Sequence, residues 1–221
     1  SVAPTSPPRL FRQLRERLAV RGMWTLLLAL AAYKFGDAMA SAMAKPFLVD
    51  LGWSKSQIGA WAGIGGSFGA LVGALLGGLV ADRLGRPRTL LLTGIAQTLA
   101  VLLYAAAALR NDLHWLTPAA IVAEHLLGSM ATVALFTLMM DASDPAHSAT
   151  DYTLQASVVV IATGFAGMVG GVLGDATGFA GLFAVAALLS AAGCAWLLQR
   201  LHARKLPARL HATLPAIVAT D

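Results

Sequence analysis

The sequence has few charged residues and one cysteine, and both shortages exclude classes of protein. Only 12% of its 221 residues are Asp, Glu, Lys or Arg, while 57% are hydrophobic and the mean hydropathy is +0.71. A soluble domain has about 25% charged residues, so this composition predicts a polytopic membrane protein. The cysteine, Cys194, lies in an apolar run and has no partner for an internal disulfide or a cysteine metal cluster. We expect it to be a small packing residue.

The net charge of +5 does not indicate nucleic acid, because the basic residues fall between apolar segments. Basic residues in such positions set membrane topology, so we expect the lipid bilayer, and no nucleic acid, as a partner. The sequence also lacks the H-E-x-x-H zinc motif and any clustered spacing of metal ligands. We therefore expect no enzyme activity, no catalytic residues, no metal and no cofactor.

Both ends of the chain differ in composition from its apolar middle. We predict a linker and a basic amphipathic cytoplasmic segment at 1–22, a six-helix transmembrane domain at 23–201, and a basic cytoplasmic tail at 202–221. Within the first part, residues 9–21 place apolar side chains on one helical face, which predicts a short helix on an anionic membrane surface. Those side chains are Leu10, Phe11, Leu14 and Leu18. The chain does not begin with Met and has no signal-peptide pattern, so we expect it to be a piece of a longer protein.

Six apolar segments are long enough to cross a bilayer, since about 20 helical residues match a hydrocarbon core of about 30 Å. They lie at 23–44, 58–81, 89–109, 115–140, 154–174 and 179–201. If the N-terminal arm is cytoplasmic, twelve Lys and Arg residues outside the spans fall on that side, and only Lys45, Lys55 and Arg110 on the other. The positive-inside rule then predicts an all-α, multi-pass protein with both termini in the cytoplasm.

The first span contains Lys34 and Asp37 near its middle, and the fourth contains Glu124 at nearly the same depth. Each ionised side chain there costs at least about 2.5 to 3.5 kcal/mol, so a partner or a water-filled cavity is required. One hypothesis is a shared polar cavity in which Glu124 or Asp37 exchanges protons, because burial favours the protonated carboxyl group. The alternative is a static ion pair, within the first helix or between helices. His125 is a proton relay or a packing residue, and Tyr33 is interfacial, packing or ligand-stacking.

Residues 77–89, GGLVADRLGRPRT, connect the second and third spans. The glycine after the aspartate permits a tight turn and the arginines hold the loop at the membrane face. This segment resembles the loop signature G-x-x-x-D-R-x-G-R of the major facilitator superfamily, at Gly78, Asp82, Arg83, Gly85 and Arg86. The resemblance implies that the loop gates the transport cycle. It also implies that the six spans are the C-terminal half of a twelve-span transporter whose partner is an N-terminal six-helix half.

Four further segments resemble one branch of that superfamily, at 33–40, 46–59, 124–141 and 148–160. This branch contains muropeptide permeases, acetyl-CoA transporters and single-component siderophore permeases, and the DYTLQ element at 151–155 is most similar to the siderophore group. The resemblance places the first and fourth spans on a central cavity, with Gln155 either at a helix end or in the cavity. It implies symport of a small solute across the bacterial inner membrane, driven by the proton gradient. We expect a siderophore, or alternatively a muropeptide; a non-transporting accessory subunit is an alternative of another class.

Overall fold

The structure is a computed structural model, which describes the backbone of residues 7–110 and 112–213 and the side chains of residues 11–110 and 112–210. All regular structure in these residues is helical. The predictions for residues 1–6, for the Leu10 side chain and for residues 214–221 lie outside the described part.

Five apolar helical stretches are long enough to cross a membrane. The first four are α2 (Met23–Asp50), α3 (Lys55–Leu84), α4 (Arg86–Leu109) and α5 (Leu116–Ala142). The fifth, Ser148–His202, is broken at Gly178, whose φ of 71° and ψ of 173° are not helical, into α6 (residues 148–177) and α7 (residues 179–202). Short helices at the two ends, α1 (Pro7–Leu18) and α8 (Ala208–Thr213), complete the described fold. The all-α, six-span prediction is confirmed.

The helices pack as a bundle in which α2 lies along the Ser148–His202 stretch, α5 contacts both α3 and α4, and α4 also packs against that stretch. Two buried apolar clusters hold it together. One lies at the end where α2 begins and includes Leu26, Leu90 and Leu201. The other lies at the opposite end and includes the rings of Phe47 and Phe183. The middle of α2, with Lys34 and Asp37, falls between the two clusters.

Glycines bring α3 and α5 into backbone contact. A Cβ at Gly77 would lie 2.9 Å from the Cα of Met130, and one at Gly73 would overlap the carbonyl of Leu126. Close approach of this kind is how helices pack in lipid, where the hydrophobic effect gives little drive for association. These glycines therefore have a structural use. Gly65, further toward the start of α3, makes no such approach, since a Cβ there would lie 3.4 Å from the carbonyl oxygen of Ala60 in the same helix.

The start of α3 is not a regular α-helix. Residues Gly59–Gly65 form a π-helical segment, which passes directly into α-helix at Gly66. π-helical segments are rare in proteins, and those that occur are often at functional sites. The amino-acid pattern did not predict it.

The N-terminal helix contacts the bundle as well as the surface. Phe11 is 73% exposed, whereas Leu18 packs against the buried cluster at the start of α2. The prediction of a helix lying only on the membrane surface is thus incomplete, because one end of α1 is part of the protein core.

Candidate functional site

A cavity of about 410 Å³ opens between α2, α5 and α6 at the level of Lys34. It is lined by polar and ionisable side chains with a few small residues between them. The polar and ionisable members are Lys34, Asp37, Ser41, Glu124, His125, Ser129, Thr132 and Thr163. Four of the residues predicted to act on substrate or protons are therefore together in one place.

Lys34 is tied to two partners within the cavity. Its Nζ donates a short hydrogen bond to Asp37 Oδ2, one helical turn along α2. It also donates to Thr132 Oγ1 of α5 at 2.9 Å. Thr132 in turn donates to the carbonyl oxygen of Gly128 at 2.7 Å, so its hydroxyl is oriented to accept from the lysine. The ammonium group is thus held between α2 and α5.

Glu124 and His125 form a second pair in the same cavity. His125 Nδ1 lies 2.8 Å from Glu124 Oε2, but its hydrogen bond is directed to the carbonyl oxygen of Ile121 at 3.0 Å. The imidazole also touches α3, since a Cβ at Gly66 would lie 2.5 Å from two ring atoms. His125 consequently links the carboxylate to the residue that follows the π-helical segment.

Asp37 Oδ1 has no hydrogen-bond partner among the described residues, and Glu124 Oε2 has none apart from its 2.8 Å approach to His125 Nδ1. Both side chains are buried, with relative exposures of 3% and 6%. An unpaired buried carboxylate oxygen is costly unless water, a proton or a ligand satisfies it. The cavity therefore contains one fixed cation, two carboxyl groups and one titratable imidazole, with unused acceptors that can take up a proton or a donor from a ligand.

Two predicted site residues lie elsewhere. Tyr33 is fully buried, and its hydroxyl is 3.3 Å from both the carbonyl oxygen of Leu90 and the hydroxyl of Thr93, on the α4 side of α2. Gln155 is also fully buried, and its Nε2 donates to Met139 O and Ser143 Oγ at the end of α5. Neither residue lines the cavity. Tyr33 is a packing residue between α2 and α4, and Gln155 binds the end of helix α5.

The predicted gating loop forms a network centred on Arg86. Its Nε donates to Asp141 Oδ2 at 2.8 Å and its Nη1 to the carbonyl oxygen of Ala81 at 3.4 Å. Asp82 is 81% exposed and 3.9 Å from Arg86, so it is the weaker partner. Gly85, with φ of 74°, makes the turn between α3 and α4. Arg83 is exposed and Gly78 has open space around it.

Sequence reasoning missed some partners that have a recognisable signal. Glu124, Gly128 and Thr132 are spaced by four residues and must share one face of α5. Asp141 closes the same helix and pairs with the loop. The partner of Asp151 had no such signal: Arg17 of α1 donates two hydrogen bonds of 2.6 Å to its carboxylate across 134 residues of sequence.

Residues 65–69, GGSFG, match the G-x-S-x-G pattern of serine hydrolases letter by letter. In those enzymes the serine lies on a strained turn from strand to helix. Here Ser67 is an exposed residue in the middle of helix α3, and the residues on both sides of it are helical. The match therefore does not indicate a nucleophile.

Six apolar helices, with a polar cavity between α2, α5 and α6, have the architecture of a multi-pass membrane protein. The sequence profile of the Major Facilitator Superfamily matches residues 26–218. The chain belongs to that superfamily.

Two relatives place it within the muropeptide-permease branch. The chain is 31% identical over 177 residues to the anhydromuropeptide permease of Escherichia coli K12. The aligned region covers 79% of this chain and 36% of that protein. It is also 31% identical over 166 residues to a Rickettsia conorii protein designated AmpG 4, covering 75% of this chain and 40% of that protein. The chain thus spans about two fifths of the length of the curated relatives it matches.

Proposed function

We propose that this chain forms the C-terminal six-helix half of a proton-coupled permease that imports muropeptides across the bacterial inner membrane. The observation that supports this most strongly is the polar cavity that Lys34 shares with two carboxyl groups, Asp37 and Glu124. In this account both chain ends are cytoplasmic, as the distribution of Lys and Arg indicates.

The charges of the cavity provide a route to coupling. With Lys34 protonated and both carboxyl groups ionised, the cavity has an excess negative charge, which is disfavoured at this depth in the membrane. One proton neutralises it. If that proton binds to Asp37, the ion pair with Lys34 is broken and the ammonium group becomes free to bind an anionic group of the cargo. Proton and anionic solute would then enter the cavity together, which is the requirement for symport.

His125 provides a second proton-binding group beside Glu124. Its contact with Gly66 places it against the end of the π-helical segment of α3. A change in the charge of the Glu124 and His125 pair would alter the packing of that segment. We propose that this contact transmits protonation to helix α3.

The cargo is proposed from the relatives and from the chemistry of the cavity. The E. coli relative at 31% identity is named an anhydromuropeptide permease. Muropeptides combine sugar hydroxyls, amides and carboxylates. The cavity offers hydroxyl groups at Ser41, Ser129 and Thr163 and a cation at Lys34, which suit such a molecule.

The siderophore hypothesis was based on the DYTLQ element, and the structure gives that element another use. Asp151 is fully buried against Arg17, and Gln155 is bonded to the end of α5. These side chains are at the end of the bundle and do not line the cavity, so they do not favour a siderophore as the ligand of that cavity. A siderophore is the alternative substrate in the test below.

The gating proposal rests on Arg86, which joins the α3–α4 loop to Asp141 of α5. Breaking and reforming this contact would let the inner ends of α3 and α5 move relative to each other. Asp82 and Arg83, which are exposed, are left to contact the N-terminal half.

Uptake by proteoliposomes tests these proposals. The protein would be reconstituted with the N-terminal half that completes it, and accumulation of a labelled anhydromuropeptide and of a labelled ferric siderophore would be measured under an inward proton gradient. Accumulation of the muropeptide alone, abolished by a protonophore, is expected. Uptake of the siderophore alone would support the alternative substrate, and uptake of neither by a folded preparation would support an accessory subunit.

A further inference from the structure

A second cavity, of about 850 Å³, lies at the end of the bundle where α2 begins. Its walls are the residues around the start of α2 and the segment from the end of α7 to the start of α8. Three of its lining residues are cations, Arg21, Arg204 and Lys205, and all three are exposed. None of these residues lines the cavity around Lys34.

The charge of this cavity is unbalanced. Its lining residues include no acidic side chain, and none of the three cations takes part in an ion pair among the described residues. Cations gathered around one concave surface produce a positive potential that attracts an anion. The chain contains other arginines at the same end that do pair with carboxylates, such as Arg17 and Arg86.

The cations are displayed from a fixed turn. The N–H groups of Arg204 and Lys205 donate to Leu201 O at 3.2 Å and to Arg200 O at 3.1 Å, the pattern that closes the end of a helix. Just beyond the turn, Leu206 is buried in the core. Gly22 makes this approach possible, because a Cβ there would lie 2.7 Å from the carbonyl carbon of Leu206.

The backbone at Arg204 indicates that its side chain matters. Its φ is 51°, and it is the one non-glycine residue with positive φ in the described part of the chain. Glycine is the usual residue in this helix-ending position because it has no Cβ to strain. An arginine therefore stands at a position where glycine is more usual, and its cation lies at the C-terminal end of α7.

The surroundings of the cavity match the headgroup level of a bilayer. Trp24, at the first turn of α2, is 59% exposed, and Leu28, one turn further into the span, is 55% exposed. At the end of α7 the guanidinium of Arg200 lies 5.5 Å from the centre of the Trp196 ring. Tryptophan and arginine concentrate at the interface between the hydrocarbon core and the headgroups.

We propose that this cavity binds the phosphate group of an anionic phospholipid. Arg21, Arg204 and Lys205 surround the phosphate, and the acyl chains follow the exposed surface of Trp24 and Leu28 into the membrane. Basic pockets beside transmembrane helices bind phospholipid headgroups in this way. The lipid would bridge the beginning of the first span and the segment after the last one.

Native mass spectrometry of the delipidated protein in a neutral detergent tests the proposal. Phosphatidylglycerol and phosphatidylcholine would be titrated separately, and phosphatidylglycerol should bind more tightly by about tenfold or more. The variant R21Q/R204Q/K205Q should lose this preference. The control R12Q/R15Q/R88Q removes three arginines at the same end but outside the cavity, and should keep it. Equal binding of both lipids, or equal loss in both variants, would overturn the proposal.

Two further measurements distinguish a lipid site from a structural turn and from a site for a free anion. Arg204→Gly removes the cation and relieves the backbone, so it should weaken phosphatidylglycerol binding without lowering the thermal unfolding midpoint; unchanged binding would contradict the assignment. Inorganic phosphate, added to the complex at the same concentration as phosphatidylglycerol, should not displace the bound lipid. Full displacement would show that the site takes a free anion rather than a lipid. All of these readouts are independent of the transport proposed above.

Discussion

Asp37 and Glu124 approach the same glycine from two different helices. A Cβ at Gly128 would lie 3.3 Å from Asp37 Oδ1 and 4.0 Å from Glu124 Oε1. The two carboxyl groups are therefore neighbours across a position that has no side chain. Two acidic side chains therefore lie close to one position on the wall of the cavity.

Gly128→Ala is expected to reduce uptake several-fold while the protein still folds. The added methyl group would press on Asp37 and shift its carboxylate by a few tenths of an ångström, disturbing its bond to Lys34. Gly171→Ala is the matched control, since a Cβ there has open space. Initial uptake rates at equal amounts of reconstituted protein check this. Equal rates in both variants would mean that the spacing of the carboxylates is unimportant.

Lys34→Ala is expected to abolish transport and to lower the yield of folded protein. It leaves Asp37, with 5% of its side chain exposed, without its cation, and breaking a buried pair from one side costs about 3 to 5 kcal/mol. The double variant Lys34→Ala/Asp37→Asn removes both charges and should recover yield but not transport. Size-exclusion chromatography and uptake assays measure the two effects. Recovery of transport in the double variant would show that the pair is only structural.

Arg17→Gln is expected to destabilise the protein by about 3 kcal/mol, because it leaves the fully buried Asp151 unpaired. Hydrogen bonding to Asp151 also raises the pKa of Arg17, so the pair favours the charged guanidinium. Arg12→Gln on the same helix is the control. Its pair with Glu16 is exposed, so it should cost about 0 to 1 kcal/mol. Thermal unfolding in detergent compares them, and equal effects would rule out anchoring of α1 by Asp151.

Asp141→Asn is expected to impair the transport cycle more than Asp82→Asn. Arg86 donates to Asp141 at 2.8 Å, whereas Asp82 is 3.9 Å away and 81% exposed. Cysteine accessibility at the end of the cavity nearest the α3–α4 loop, measured with a membrane-impermeant reagent, should therefore rise in Asp141→Asn and change little in Asp82→Asn. A larger rise in Asp82→Asn than in Asp141→Asn would mean that Asp82, the aspartate of the loop signature, is the more important partner of Arg86.

The six spans could be predicted because each is a long apolar run with charges at its ends. Their limits were harder to place where packing overrides local preference. The first span was placed at 23–44, but α2 continues through Pro46 to Asp50. A proline normally ends a helix; here Phe47 is 2% exposed and contacts the rings of Tyr104 and Phe183, which favours extension of the helix.

The candidate site was partly predictable for a related reason. Charged residues inside apolar runs stand out, so Lys34, Asp37 and Glu124 could be named, and equal depth brought them together. Tyr33 adjoins Lys34 in sequence, but neighbouring residues of a helix point about 100° apart, and the Tyr33 side chain faces α4 instead of the cavity. The bond from Arg17 to Asp151 joins distant parts of the chain, and no local pattern specifies it.

The most direct test of the proposed transport mechanism is the coupling of Glu124 to the proton gradient. Glu124→Gln keeps the shape of the side chain but cannot ionise, and Glu16→Gln, at an exposed position of helix α1, is the control. The mechanism predicts that Glu124→Gln abolishes muropeptide accumulation driven by a pH gradient and retains counterflow exchange, while Glu16→Gln changes neither. Full accumulation by Glu124→Gln, still collapsed by a protonophore, would contradict it.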